Sequence, residues 1–210
     1  MASQLLNTTD PSAPGHYGSS KTALLLLDFH SAFTDKAGPK ATAAVDVAVE
    51  MKKWAQLQSI PVIHCLLDIN QTPFATCKDA SRFAHVMESM KSGGGEEPAD
   101  LRGESESEIT FLRRPGHVSA LKSPGLLEYL HSKDIRSLVL AGLSTSGCVM
   151  RTAVAASDEE FVVTVVSDGC MDPVEGMHEV VIEKLLSRGW VCTSEELRAG
   201  FTAAAQGADV

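Results

Sequence analysis

No run of apolar residues in this 210-residue chain approaches the roughly 18 that a membrane-spanning helix needs. Basic residues are also scarce: 18 Lys and Arg stand against 27 Asp and Glu, a formal charge of −9 at pH 7. That balance offers no cationic footprint for nucleic acid or anionic lipid, so neither partner is expected. Met1 to Ser20 carries no Lys or Arg and no long apolar core, unlike a secretory signal or an Arg-rich transit peptide, and the expected compartment is the cytoplasm. Cysteine is sparse: Cys65, Cys77, Cys148, Cys170 and Cys192 are odd in number and contain no CxxC pair, which argues against a zinc knuckle or a redox dithiol. What is left, 44% hydrophobic and 21% charged, is the composition of one ordinary globular domain.

The first twenty residues, rich in Ser, Thr, Gly and Pro, read as an irregular arm, and residues 21–210 as a single domain. From Lys21 onward, apolar runs of strand length alternate with segments of helix length. The strand candidates are Thr22 to Asp28, Pro61 to Leu67, Ile109 to Arg113, Ser137 to Gly142, Phe161 to Ser167 and Trp190 to Thr193. Runs that are apolar on both faces imply buried parallel strands. The helix candidates are Ala43 to Gln58, Pro124 to Lys133, Gly147 to Asp158, Pro173 to Ser187 and Glu195 to Ala205, the last opened by a Thr193/Glu196 capping box. Parallel neighbours need right-handed crossovers that cover both sheet faces, so the fold class is α/β: a doubly wound three-layer sandwich with sheet order 3-2-1-4-5-6. Asp68 to Glu108 breaks the rhythm. It reads as a surface excursion with one short helix, Phe83 to Met90, and its Gly93-Gly94-Gly95 triplet lacks the GK[ST] of a phosphate loop.

In open α/β sheets the carboxyl ends of the strands converge on the crevice where strand order reverses. The first strand ends at Asp28, the third at Arg113 and Arg114, and the fourth runs into Ser144-Thr145-Ser146-Gly147-Cys148. With strands one and four adjacent, Asp28 and Cys148 lie side by side. A thiol on the first turn of a helix sits in the positive end of the helix dipole, which favours thiolate. Amides of the same turn can hold an oxyanion. The alternative for Cys148 is a small packing residue, and for Asp28 a loop-fixing carboxylate. Packing accounts for Cys65, Cys170 and Cys192, and Cys77 lies in the excursion.

Leu24 to Phe33 (LLLLDFHSAF), Leu138 to Ala156 (LVLAGLSTSGCVMRTAVAA) and Phe161 to Cys170 with His178 beyond it resemble the isochorismatase-like cysteine hydrolases. That superfamily includes nicotinamidases, N-carbamoylsarcosine amidases and isochorismatases. The resemblance implies a homo-oligomeric hydrolase of small molecules with an Asp-Lys-Cys triad, in which Asp28 and Cys148 take the first and last places. It also implies a cis peptide between Leu143 and Ser144, with the amides of Ser144 and Cys148 as oxyanion hole. The lysine is missing. At its place stands Phe111-Leu112-Arg113-Arg114-Pro115, where Arg114 is the best match and Arg113 the next; Lys122 fits poorly. Arginine keeps the charge but cannot exchange a proton.

Some relatives hold a metal with an Asp-x-His pair after the second strand. Asp68-Ile69-Asn70 stands there instead, without the imidazole, so no metal or other cofactor is expected. Phe33, Asp68, Asn70 and His117 are the candidate substrate contacts. The expected activity is cleavage of a small amide or related C–N bond through a thioester on Cys148. The rivals are vinyl-ether hydrolysis of isochorismate, whose anchors come from Arg82, Arg102, Arg114 and Arg151, and a non-catalytic binding or assembly protein on the same scaffold.

Overall fold

Three apolar runs are buried along their whole length: β1 (Thr22–Leu27), β2 (Val62–Leu67) and β4 (Ser137–Leu143). A strand with no solvated face belongs in the middle of a sheet covered on both sides, and that is where the computed structural model puts them. The sheet has six strands in the order β3-β2-β1-β4-β5-β6, all pairs parallel, with β3 at Glu108–Arg113, β5 at Val162–Met171 and β6 at Trp190–Cys192. The structure describes residues 5, 7–103, 108–186 and 189–207.

Alternation along β1 splits the core into two layers. Leu25 and Leu27 face one side, where they pack with Ile63, Cys65, Leu140 and Val165 under α4 (Leu126–Ser132) and α5 (Met150–Asp158). Leu24 and Leu26 face the other, against Ala44, Ala48 and Met51 of α2 (Pro39–Leu57) and Leu197 of α7 (Ser194–Gly207). The small residues on α2 let that helix lie close over the sheet. The capping box forms reciprocally: Thr193 N–H donates to Glu196 Oε2 at 2.9 Å, and Glu196 N–H to Thr193 Oγ1 at 3.2 Å.

The departures from the sequence reading are local. A helix was not foreseen at α1 (Ser31–Ala37), and α2 starts at Pro39 rather than Ala43 because Gly38, at φ 72°, turns the chain between them. The excursion's helix α3 is longer than its apolar stretch, Ala80–Lys91. β5 runs on to Met171, past the polar Ser167-Asp168 pair, with a shift of register against β4 between Leu140 and Gly142. The helix expected from Pro173 is only α6 (Met177–Val180) followed by a π turn, Val181–Leu185, and its expected end at Ser187 lies outside the described residues. The N-terminal arm is more ordered than its composition suggests. It forms two 3₁₀ turns, Pro14–His16 and Ser19–Lys21, and Trp190 Nε1–H donates to Ser12 O at 2.7 Å.

Candidate active site

The site begins with a missing side chain. Gly142 pairs with Leu27 across β4 and β1, and a Cβ there would stand 2.5 Å from both Leu27 Cβ and Leu27 O. Glycine therefore lets the two strands close up where they end, bringing Asp28 beside Leu143. Asp28 then leaves the strand at φ 54°, a left-handed conformation that Asp tolerates better than most residues. The Leu143–Ser144 peptide is cis. Thr145–Val149 follows as a single π turn, in which Gly147 takes φ −92° and ψ −109° with Ser144 Oγ packed where its Cβ would be. Two contacts fix this turn from outside: Ser146 N–H donates to Asp172 Oδ2 at 2.8 Å, and Thr145 Oγ1 lies 2.9 Å from His178 Nδ1.

Arg113, the last residue of β3, reaches across β2 to this point. Its Nη1 donates to Asp28 Oδ1 at 2.8 Å and its Nη2 to Asp28 Oδ2, a bidentate pair in which both side chains are buried. The third nitrogen, Nε, donates to His117 O at 3.0 Å, so the guanidinium plane is held from both sides. Burial alone would lower the Arg113 pKa, but the Asp28 charge and hydrogen bonds outweigh it and the guanidinium stays firmly protonated.

The sequence reading placed Arg114 in this role, and the structure puts it elsewhere. Arg114 faces the opposite side of β3, where Nε donates to Thr72 O at 2.8 Å and Nη2 to Pro73 O at 3.2 Å, fastening the excursion to the strand end. The deciding signal was the period of two. Ile109 and Phe111 pack into the core, Leu112 is 44% exposed, and Arg113 continues the inward series.

Cys148 is buried, and its Sγ–H donates to Leu143 O at 3.0 Å. Burial pushes the thiol well above its ordinary range, the Asp28 carboxylate adds to the rise, and Arg113 offsets part of it. This reverses the thiolate expected from the helix dipole: desolvation of the anion outweighs the dipole of a turn that is π rather than α. The group at rest is a thiol poised beside a carboxylate.

These side chains open into a cavity of about 420 Å³, lined by Asp28, Arg113, Ser144 and Cys148 and walled by Phe33, Leu67 and Met171 among others. Phe33 and His117 line it. Asp68 and Asn70 do not: the Asp68 carboxylate closes its own turn, accepting from Asn70 N–H at 3.0 Å and Gln71 Nε2 at 2.7 Å. Among the described residues no group of three or more His, Cys, Asp or Glu side chains is arranged to hold a metal ion.

His30 was not singled out by sequence. It is fully buried, accepts Leu67 N–H at Nε2 (3.0 Å) and therefore carries its proton on Nδ1, which faces Gly95 O at 2.7 Å. Ser31 N–H and Ala32 N–H donate to Glu96 O and Gly94 O, so the glycine-rich part of the excursion is laced onto the chain just after Asp28. A second part of the excursion packs over the other rim, where Phe74 lies against His117 and over Gly116.

Comparison with known proteins gives the family and the fold. The model of the Isochorismatase domain matches residues 22–196. Maleamate amidohydrolase of Pseudomonas putida is 29% identical over 164 residues, 76% of this chain and 76% of that protein. Among solved structures, a cysteine hydrolase from Pseudomonas syringae pv. phaseolicola superposes with a TM-score of 0.73 at 15% identity, covering 89% of this chain and 95% of its own. N-carbamoylsarcosine amidase from Thermoplasma acidophilum gives 0.67 at 20% identity, covering 83% and 97%.

Proposed function

Since the chain belongs to the isochorismatase family and is a hydrolase of it, we propose that it cleaves a small non-peptide amide, or a related C–N bond, through a thioester on Cys148. The observation that carries this reading is the convergence of Cys148, Asp28 and Arg113 on one cavity. The names of two similar proteins, maleamate amidohydrolase and N-carbamoylsarcosine amidase, support C–N chemistry.

In the proposed sequence the resting thiol loses its proton to Asp28 as sulfur attacks the carbonyl carbon, so no free thiolate accumulates in a cavity that disfavours it. The amides of Ser144 and Cys148 receive the developing oxyanion. Asp28 returns the proton to the departing nitrogen, the C–N bond breaks, and a thioester remains. Water then gives a proton to Asp28 while attacking the thioester, and the proton passes to the leaving sulfur, restoring acid product, thiol and carboxylate. Arg113 never exchanges a proton. It holds both oxygens of Asp28 in place and supplies the fixed positive charge against which thiolate character develops.

Intact-protein mass spectrometry during turnover of primary amides tests this. An acyl adduct that maps to Cys148 and vanishes in Cys148→Ala, together with ammonia release, is the expected result. Full turnover by Cys148→Ala refutes the mechanism. Isochorismate in the same panel separates the vinyl-ether reaction, and an inert protein toward every substrate favours the non-catalytic alternative.

A further inference from the structure

The β1–β2 ladder ends in a buried amide that needs a partner. Leu27 pairs with Cys65 and Asp28 N–H donates to Cys65 O at 3.0 Å, but the left-handed turn at Asp28 carries the chain off before β1 can serve Leu67 N–H. Leu67 is buried, and an N–H left unpaired there would be costly. The acceptor comes from two residues past the acid: His30 Nε2 takes the Leu67 N–H at 3.0 Å, so a side chain finishes the sheet where the backbone leaves it.

The same ring holds a second element. Its Nδ1–H donates to Gly95 O at 2.7 Å, and Ser31 N–H and Ala32 N–H donate to Glu96 O and Gly94 O beside it. This close contact accounts for two glycines of the triplet, because a Cβ at Gly94 would stand 2.8 Å from Ala32 Cβ and one at Gly95 2.7 Å from Ile69 Cδ1. Just before the triplet, α3 packs Met87 and Met90 with Leu67, Ala32 and Phe33, a small core apart from the two that flank the sheet. Phe83 of α3 walls the catalytic cavity together with Phe33 and Leu67, whereas His30 does not line it.

The ring works in one form only. Asp28 Oδ1 lies 3.9 Å from Nε2 and already accepts from Arg113, while the Glu96 carboxylate turns to Arg102 at the surface. A proton on Nε2 would set N–H against Leu67 N–H, so the two bonds require the neutral imidazole with its proton on Nδ1.

We propose that His30 is a positioning residue with two separable duties. Nε2 fixes the strand ends from which Asp28 projects, and Nδ1–H fixes the glycine segment and with it the α3 wall of the cavity. The first duty governs the alignment of acid and thiol and shows in kcat; the second governs the fit of the bound substrate and shows in KM. This rests on the amide-hydrolase reading, to which it adds a residue that touches none of the reacting atoms.

Two amide side chains divide the imidazole between them: Gln carries an acceptor out to the distance of Nε2, and Asn a donor to the distance of Nδ1. In the full-length protein, His30→Gln is expected to keep Leu67 N–H slow in hydrogen exchange and to speed exchange at Ser31 and Ala32. For the best primary amide of the panel it should raise KM about tenfold with kcat within a few-fold. His30→Asn should do the reverse, releasing Leu67 N–H and lowering kcat about tenfold or more with KM little changed. Nitrogen NMR of the wild-type ring should find its proton on Nδ1.

Variants that shift the same amides and the same kinetic constant to the same extent make His30 a packing residue and overturn the proposal, as does a wild-type ring protonated on Nε2. Hydrogen exchange is read without turnover. An exchange pattern that divides as expected, in a protein that hydrolyses no amide, retains both anchoring duties and sinks the hydrolase reading. Amide hydrolysis with an undivided exchange pattern does the opposite.

Discussion

Arg113 grips Asp28 with both terminal nitrogens from two strands away, with β2 passing between them. Adjacent strands are about 4.8 Å apart, so the pair bridges about 9.6 Å, a span that needs the longest cationic side chain on an edge strand and a short acid on a central one. The pairing leaves one mobile proton acceptor beside the thiol. It also makes the carboxylate's position depend on a residue 85 positions away in sequence.

Removing that cation should therefore damage both fold and chemistry. Arg113→Met leaves the Asp28 carboxylate buried without its partner, a loss of about 3–5 kcal/mol in urea unfolding. Amide hydrolysis should fall by roughly 10² or more, since the proton acceptor is no longer held on the sulfur. Arg113→Lys keeps the charge, gives up one of the paired bonds and should fall between. Arg114→Met is the control: its side chain is exposed and bonds only to loop carbonyls, so stability should move by about 1 kcal/mol or less and turnover by a few-fold. If the Arg114 variant is the inactive one, the assignment of the pair is wrong.

Buried thiols make the fold less stable in alkali. Burial raises the pKa of Cys65, Cys148, Cys170 and Cys192, the latter two to about 12, against an ordinary value of 9.0. Above pH 9 the unfolded chain sheds these protons and the folded chain keeps them, so the unfolded state gains. Stability contributed by the neutral thiols is whole below pH 9 and declines as pH rises toward 12, by about 1.4 kcal/mol per pH unit for each cysteine. Urea midpoints measured from pH 7 to 11 should fall accordingly. In the same range the iodoacetamide rate at Cys148 should still be climbing, where a preformed thiolate would have levelled off below pH 7.

How much of this the sequence displayed depended on whether the information was local. The sheet order follows from apolar runs buried on both faces and from crossover handedness, and the segment around Cys148 carries its own turn and helix start. Arg113 was equally legible through the Ile109, Phe111, Arg113 alternation, but weighing motif position above strand period favoured its neighbour. Asp68 and Asn70 failed for a different reason: an Asp followed by a turn readily closes that turn with its own carboxylate, and nothing in the spacing tells this from a pocket residue. His30 depends on how the excursion folds back onto the start of α1. That contact joins residues some 65 positions apart and leaves no periodic trace.

The excursion is held at its far end by buried charge. Lys52 Nζ donates to Leu101 O at 3.1 Å and Arg102 O at 2.5 Å and lies 3.4 Å from Glu108 Oε1, while His64 Nδ1 lies 2.8 Å from Glu97 Oε2. Lys52→Met removes a cation that satisfies two carbonyls and a carboxylate at once. A loss of about 1–3 kcal/mol is expected, because the two carbonyls lose their buried donor while Glu108 keeps its bond from Gln56 Nε2. None of the cluster's residues lines the catalytic cavity, so turnover below the new melting point should stay within a few-fold of wild type. Thermal unfolding paired with ammonia release reads both quantities.

Gly142→Ala tests whether the closeness of β1 and β4 is what assembles the site. The added methyl would have to occupy space 2.5 Å from Leu27 Cβ and from a backbone oxygen, and backbone in the middle of a sheet has no room to yield. Overpacking of this kind costs about 1–3 kcal/mol. The strands can relieve it only by spreading at their carboxyl ends, which separates Asp28 from Leu143 and the turn bearing Cys148. Gly18→Ala isolates the other penalty: at φ 60° it strains the backbone, yet nothing lies within 4 Å of the new methyl. It should lose about 1–3 kcal/mol and keep its activity. If Gly142→Ala loses stability to the same extent and hydrolyses amides at the wild-type rate, strand separation is not what controls the alignment of acid and thiol.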